Sequence, residues 1–165
     1  MRNHPKVINE KKLEWVEQSH GKKFSLRRKS LSAATEGKKL GCSLYEVPPE
    51  KRALPYHYHS ANEKAIYILE GKGTLRMDGE EIEISKGDYI TCPAGSGAHQ
   101  IINSSDNILR YLCFSTMLEP DVIVYSDSNK IGIFVGSAPG GPKEKRTLHK
   151  YLRGDAEVDY WDAEK

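Results

Sequence analysis

Cysteine is scarce and scattered. Cys42, Cys92 and Cys113 are the three in 165 residues, and none pairs as CxxC. That spacing excludes a zinc knuckle and a disulfide framework. Apolar runs of membrane-spanning length are missing too. Met1 to Lys12 is polar and charged, without the apolar stretch of a secretion signal. Free thiols without a signal lead to the expectation of a reducing cytoplasm. An excess of one charge sign is also absent, with 25 Lys and Arg against 23 Asp and Glu, a net charge of +2. Lys22-Lys23, Arg27-Arg28-Lys29 and Lys143-Glu144-Lys145-Arg146 are basic clusters. They form no charged stripe with exposed aromatics beside it, as nucleic-acid binding requires. No nucleic-acid or membrane partner is expected. The length favours one domain with a core that needs no covalent staple.

What is present is a series of short strands and turns. Leu40 to Val47 reads as a strand stopped by Pro48-Pro49. Tyr56 to His59, Ala65 to Leu69 and Thr74 to Met77 follow, and Asp78-Gly79 is the strongest hairpin signal in the chain. Glu81-Ile82-Glu83-Ile84 alternates as a half-buried strand does. Tyr89 to Thr91, His99 to Ile102, Leu109 to Ser115 and Val122 to Tyr125 complete the set. Regular short strands with Gly, Pro and Asp turns predict an all-β sandwich or barrel. Asn9 to Ser19 is open between a short helix and an extended arm. Pro139-Gly140-Gly141-Pro142 reads as a loop ahead of a terminal segment. In that segment Tyr160 and Trp161 are expected to dock on the body or on a partner subunit.

The chemistry concentrates in Pro55-Tyr56-His57-Tyr58-His59 and in Pro93 to Asn103. Residues two apart on a strand share a face, so His57 and His59 point the same way. His99 arrives from another strand after a Gly/Pro-rich turn. Three converging imidazoles make a metal site for iron, zinc, manganese or nickel. By the same alternation Tyr56, Tyr58 and Gln100 lie off the ligand face. Cys92 reads as a buried, inert thiol.

These two segments resemble the paired motifs of the cupin superfamily. His57, His59 and Gly71 match the first motif; Gly87, Pro93, Gly95, His99 and Asn103 match the second. Fifteen residues separate Gly71 from Gly87, the short spacing of small single-domain bacterial cupins. The resemblance implies a double-stranded β-helix, the cupin jelly-roll barrel, with a metal inside and a homodimer outside. It divides the chain into an N-terminal extension (1–35), the barrel (36–126) and a C-terminal extension (127–165). It fixes no activity, because cupins include oxygenases, isomerases, decarboxylases and binders without catalysis.

Three positions depart from the pattern. Lys51 stands where the first motif has glycine, and Ala98 is an extra residue in the turn before His99. Lys64 stands at the position of the family's ligand glutamate, with Glu63 one residue earlier. On a regular strand Lys64 faces the barrel interior and Glu63 faces away. Three alternatives stay open. Lys64 loses its proton beside the metal, a local shift brings in Glu63 as ligand, or the barrel holds no metal. The leading expectation is a divalent transition metal on His57, His59 and His99, with Lys64 receiving a small anionic ligand. Ile66 and Ile68 share the face of Lys64 and are expected to line that ligand's pocket. Such a site would serve a metal-dependent oxygenase or a related enzyme. The alternative is a non-catalytic small-molecule sensor with weak or no metal.

Overall fold

The computed structural model describes residues 4–164. Strands β1 (Val16–His20), β2 (Phe24–Ser30), β3 (Leu40–Val47), β4 (Tyr58–His59), β5 (Lys64–Glu70), β6 (Lys72–Met77) and β7 (Glu80–Ser85) come first. Strands β8 (Tyr89–Cys92), β9 (His99–Ile102), β10 (Leu109–Thr116), β11 (Asp121–Tyr125), β12 (Lys130–Val135) and β13 (Leu148–Arg153) follow. They form a six-stranded sheet in the order β1-β2-β3-β10-β5-β8, a four-stranded sheet β13-β12-β11-β4 and a three-stranded sheet β7-β6-β9. Every strand pair is antiparallel. The bridge between His57 and His99 ties the last two sheets together. The result is the jelly-roll barrel. No helix among the described residues is long and apolar enough to cross a membrane.

Local sequence explains the corners. Asp78 and Gly79 both take left-handed φ, 51° and 85°, which is what a two-residue hairpin turn between β6 and β7 requires. Gly71 has φ of 85° and lies so close to Ile108 that a Cβ there would meet its carbonyl oxygen at 2.6 Å. Glu50, one residue before the first-motif departure at Lys51, takes a left-handed φ of 58°. On β7 only Ile84 is buried; Ile82 stays exposed because β7 is an edge strand.

The apolar core joins the sheets. Val47, Ile66, Ile68 and Tyr111 pack with Leu75, Ile84 and Ile101 across the interior. Ala53, Ile66, Ile101 and Tyr111 also line the main cavity, so the core forms its closed end. Both extensions continue the barrel's sheets. Arg27 to Ser30 of β2 pairs with β3, and Lys130 to Phe134 of β12 pairs with β11. The segment 9–19 holds no α-helix. Asn9 caps a single turn of 3-10 helix over Glu10–Lys12, and β1 follows. The buried Lys29 donates from Nζ to the Glu10 carbonyl and carboxylate, both at 2.8 Å, and so pins this segment to the barrel. Tyr160 and Trp161 do not dock on the body. They are 84% and 72% exposed, and their rings meet each other edge to face.

Candidate metal centre and ligand cavity

His57 and His99 face each other through a pair of backbone hydrogen bonds, His57 N to His99 O at 3.3 Å and His99 N to His57 O at 2.9 Å. His59 lies two residues on, paired with Ile123 of β11. The extra residue Ala98 does not disturb this pairing. Gly95 and Gly97 take left-handed φ of 74° and 58° and fold the added length into the turn. The three rings therefore gather at one place, with centroids of His57 at 5.2 Å from His59 and 4.7 Å from His99.

Each ring is oriented through Nδ1. His57 Nδ1 donates to Pro55 O at 2.7 Å, His99 Nδ1 to Gly97 O at 3.4 Å, and His59 Nδ1 to the Asp121 carboxylate at 2.6 Å. A neutral imidazole carries one proton, so these bonds leave Nε2 as the lone-pair nitrogen on all three. All three rings are held neutral. Burial lowers His57 well below its ordinary 6.5, and the Lys64 ammonium and the neighbouring imidazoles lower it further. Burial and then Lys64 lower His59 and take His99 down to about 3.

Asp121 is fully buried behind His59. Its second oxygen accepts from Ala61 N at 3.0 Å. Burial alone would raise its pKa, but the bonds from His59, Asn62 and Ala61 outweigh that and hold it below the ordinary range. The sequence reading missed this residue. Its signal was the alternation Asp121, Ile123, Tyr125, which puts the carboxylate on the inward face of β11.

Lys64 extends from β5 into the same place, and its Nζ donates to His57 Nε2 at 3.0 Å. Burial lowers the pKa of this ammonium. Glu63 is exposed, with its backbone paired to Thr116, and it contributes no oxygen to the histidines. The local shift that would make it a ligand is not seen. Ile66 lines the cavity beside Lys64, whereas Ile68 is fully buried in the core, outside the lining. Gln100 is also part of the cavity wall. Its amide Nε2 donates to Leu54 O at 2.7 Å and its Oε1 is buried without a partner.

The donor chemistry suits a divalent transition metal. Three neutral imidazoles present Nε2 lone pairs, and that of His59 is buried with no partner. The spacing as it stands is different. Among the described residues no three His, Cys, Asp or Glu side chains converge closely enough to hold an ion. The Lys64 ammonium takes the place at His57 Nε2 that a metal would need.

Above the histidines lies a cavity of about 500 Å³. Arg28, Lys64, Lys130, Lys143 and Arg146 line it, and no Asp or Glu does so among the described residues. Tyr125, Tyr151 and Phe134, from β11, β13 and β12, form an aromatic wall. Gly132 sits under that wall, where a Cβ would stand 3.0 Å from the Tyr151 ring.

Residues 43–115 match the cupin domain family. The barrel is a cupin domain. This cupin is 41% identical over 69 residues to an uncharacterized protein of Methanocaldococcus jannaschii, covering 42% of this chain and 54% of that one. It is 30% identical over 80 residues to the quercetin 2,3-dioxygenase of Bacillus subtilis, covering 46% of this chain and 23% of the enzyme. The cupin thus spans about half or less of these relatives. Among solved structures it is similar to a protein of Acidithiobacillus ferrooxidans provisionally assigned as a sugar phosphate isomerase. The TM-score is 0.70 at 29% identity, covering 81% of this chain and 80% of that one. A cupin-superfamily sugar phosphate isomerase of Silicibacter pomeroyi shares the fold at TM-score 0.76 and 20% identity, over 94% of this chain and 98% of that one.

Proposed function

We propose that this cupin binds a small organic anion in the barrel cavity, with Lys64 as the group that receives it beside His57, His59 and His99. The carrying observation is the sign of the wall, five Lys and Arg and, among the described residues, no carboxylate around one cavity. In a partly desolvated space such a wall favours an anion strongly over a neutral molecule of the same shape. The likeness to a protein provisionally assigned as a sugar phosphate isomerase supports a polar organic anion.

A divalent transition metal, bound through the three Nε2 atoms, would supply Lewis-acid chemistry at the ligand's oxygen. The chain's own residues do the rest. Asp121 fixes His59 in the tautomer that keeps Nε2 free. Lys64 leaves His57 when an anion draws it away. The ring of Tyr125, 5.9 Å from His57, shields that side of the site from water.

The second reading is a metal-free anion binder or sensor. The 3.0 Å contact between Lys64 Nζ and His57 Nε2 favours it, because the ammonium then serves as the cation of the site. The three free thiols fit a reducing compartment such as the cytoplasm. Edge strands β1 and β13, with Val16, Leu148 and Leu152 exposed, favour a homodimer.

Thermal unfolding with malonate and with its neutral diamide tests the anion reading. Malonate should raise the Tm, malonamide should not, and Lys64→Met should remove the rise. Equal effects of the two compounds would sink the reading. Elemental analysis of the purified protein separates the two versions, with about one metal per chain for the first and none for the second.

A further inference from the structure

We propose that the rim formed by Lys143, Arg146 and His149 is a phosphate-binding subsite, which makes the ligand a phosphorylated small molecule. The inference rests on the anion-binding reading of this cavity and names the ligand's far end.

Arg146 is held in place before any ligand arrives. Its Nη2 donates to Pro139 O at 2.7 Å and to Ala138 O at 3.4 Å, and its guanidinium carbon lies 5.0 Å over the Phe134 ring. Pro139 and Gly140 thereby become part of the rim. Carbonyls and a ring orient the guanidinium without neutralising it. Neither Arg146 nor Lys143 has a carboxylate partner among the described residues. The Nε of Arg146 is buried with no acceptor at all.

His149 completes the group. Its Nδ1 lies 3.3 Å from Arg146 Nη1 and accepts from it, which leaves Nε2–H as a donor. Its neighbours in charge are the cations Arg146 and Lys143. Two full positive charges and a neutral N–H donor, presented by separate side chains, match a dianion with three peripheral oxygens. A single carboxylate would leave one cation unanswered.

The rim connects to the histidines along one wall. His149 contacts the Tyr151 ring at 5.2 Å, Tyr151 contacts Tyr125 at 6.0 Å, and Tyr125 contacts His57 at 5.9 Å. A ligand with its phosphate at Arg146 runs along these rings toward Lys64. The enclosed volume limits it to a small molecule rather than a polynucleotide.

Calorimetric titration of the chelator-treated 165-residue chain with inorganic phosphate tests this. Arg146→Gln and Lys143→Met should each weaken phosphate binding at least tenfold, while Lys64→Met should leave it within twofold. Arg146 holds the 139–142 loop through Ala138 and Pro139, whereas the Lys143 side chain makes no hydrogen bond to residues 139–142 among the described residues. The Lys143 variant therefore keeps the test valid if Arg146→Gln loosens that loop. Phosphate binding that depends on Lys64 and not on the rim residues would overturn the subsite, as would no phosphate binding by the wild-type protein. Lys64-dependent malonate binding under either result would leave the reading of the cavity standing.

Discussion

His59 and Asp121 lie 62 residues apart in sequence and meet at 2.6 Å inside the barrel. The contact links the metal-type face of the site to β11. It decides which nitrogen of His59 carries the proton, and therefore whether Nε2 can act as a donor to anything in the cavity.

Asp121→Ala should cost about 3 kcal/mol of folding stability, because it strands the buried donor His59 Nδ1–H and the half-buried Ala61 N–H. Asp121→Asn should fold better, yet its amide N–H can donate a hydrogen bond to His59 Nδ1 and so favour the tautomer that carries its proton on Nε2. Zinc affinity should then fall on the order of 10- to 100-fold. Urea unfolding reads the first effect and a zinc titration against a chelating dye reads the second.

Lys64→Glu should bind zinc at least ~10-fold more tightly than the wild-type chain. An ammonium 4 Å from one positive charge costs about 4 kcal/mol at an effective dielectric of 20, and the substitution replaces that repulsion with attraction. It also vacates His57 Nε2. An unchanged zinc affinity would show that Lys64 moves off the histidines without resistance.

Stability of the metal-stripped protein should fall as pH falls from about 6.5 toward 3. The imidazoles of the unfolded chain take up protons near 6.5, whereas folded His99 does so only near 3, and His57 and His59 are also shifted downward. The unfolded state thus binds more protons through this window, and each proton it gains favours unfolding. Asp121 adds a second loss at lower pH, because its folded pKa lies below the ordinary 3.8. Urea midpoints at a series of pH values should decline across that window. A flat profile from 6.5 to 4 would contradict the neutral, buried histidines.

Asn103→Ala should destabilise the barrel by roughly 2–4 kcal/mol without altering malonate or phosphate affinity. The side chain is completely buried and donates to Val47 O at 2.8 Å and Asn107 O at 2.7 Å, while its Oδ1 accepts from Ser105 N at 3.0 Å. This motif residue ties the turn between β9 and β10 and does not line the cavity. Thermal melts beside ligand titrations separate the two roles.

The barrel was legible because its corners depend on local rules. Asp78-Gly79 names a hairpin, Gly71 marks a close backbone approach, and alternation separates the interior Lys64 from the exposed Glu63. The same alternation failed at Gln100, which neighbours His99 yet also borders the cavity, since a jelly roll curves around its contents. Asp121 was only half legible: its alternation with Ile123 and Tyr125 gives the inward direction, but not that β11 pairs beside His59, which is set by distant pairing. Arg146 carries no signal, because a single basic residue in a loop forms no pattern. The expected pocket role of Ile68 failed for a related reason. Alternation gives the inward direction but not the depth at which core ends and cavity begins.

Gly132 gives the cavity wall a calibrated clearance. Only a hydrogen on Gly132 faces the Tyr151 and Phe134 rings, with a Cβ contact of 3.0 to 3.1 Å in prospect. An alanine there would act as a shim of a few tenths of an ångström beneath Tyr151, and a valine as a thicker one. The passage between rim and histidines can therefore be narrowed in steps from behind the wall, without touching a charged group. On the proposed anion-binding reading, size selectivity and charge selectivity would in this way be set by separate residues.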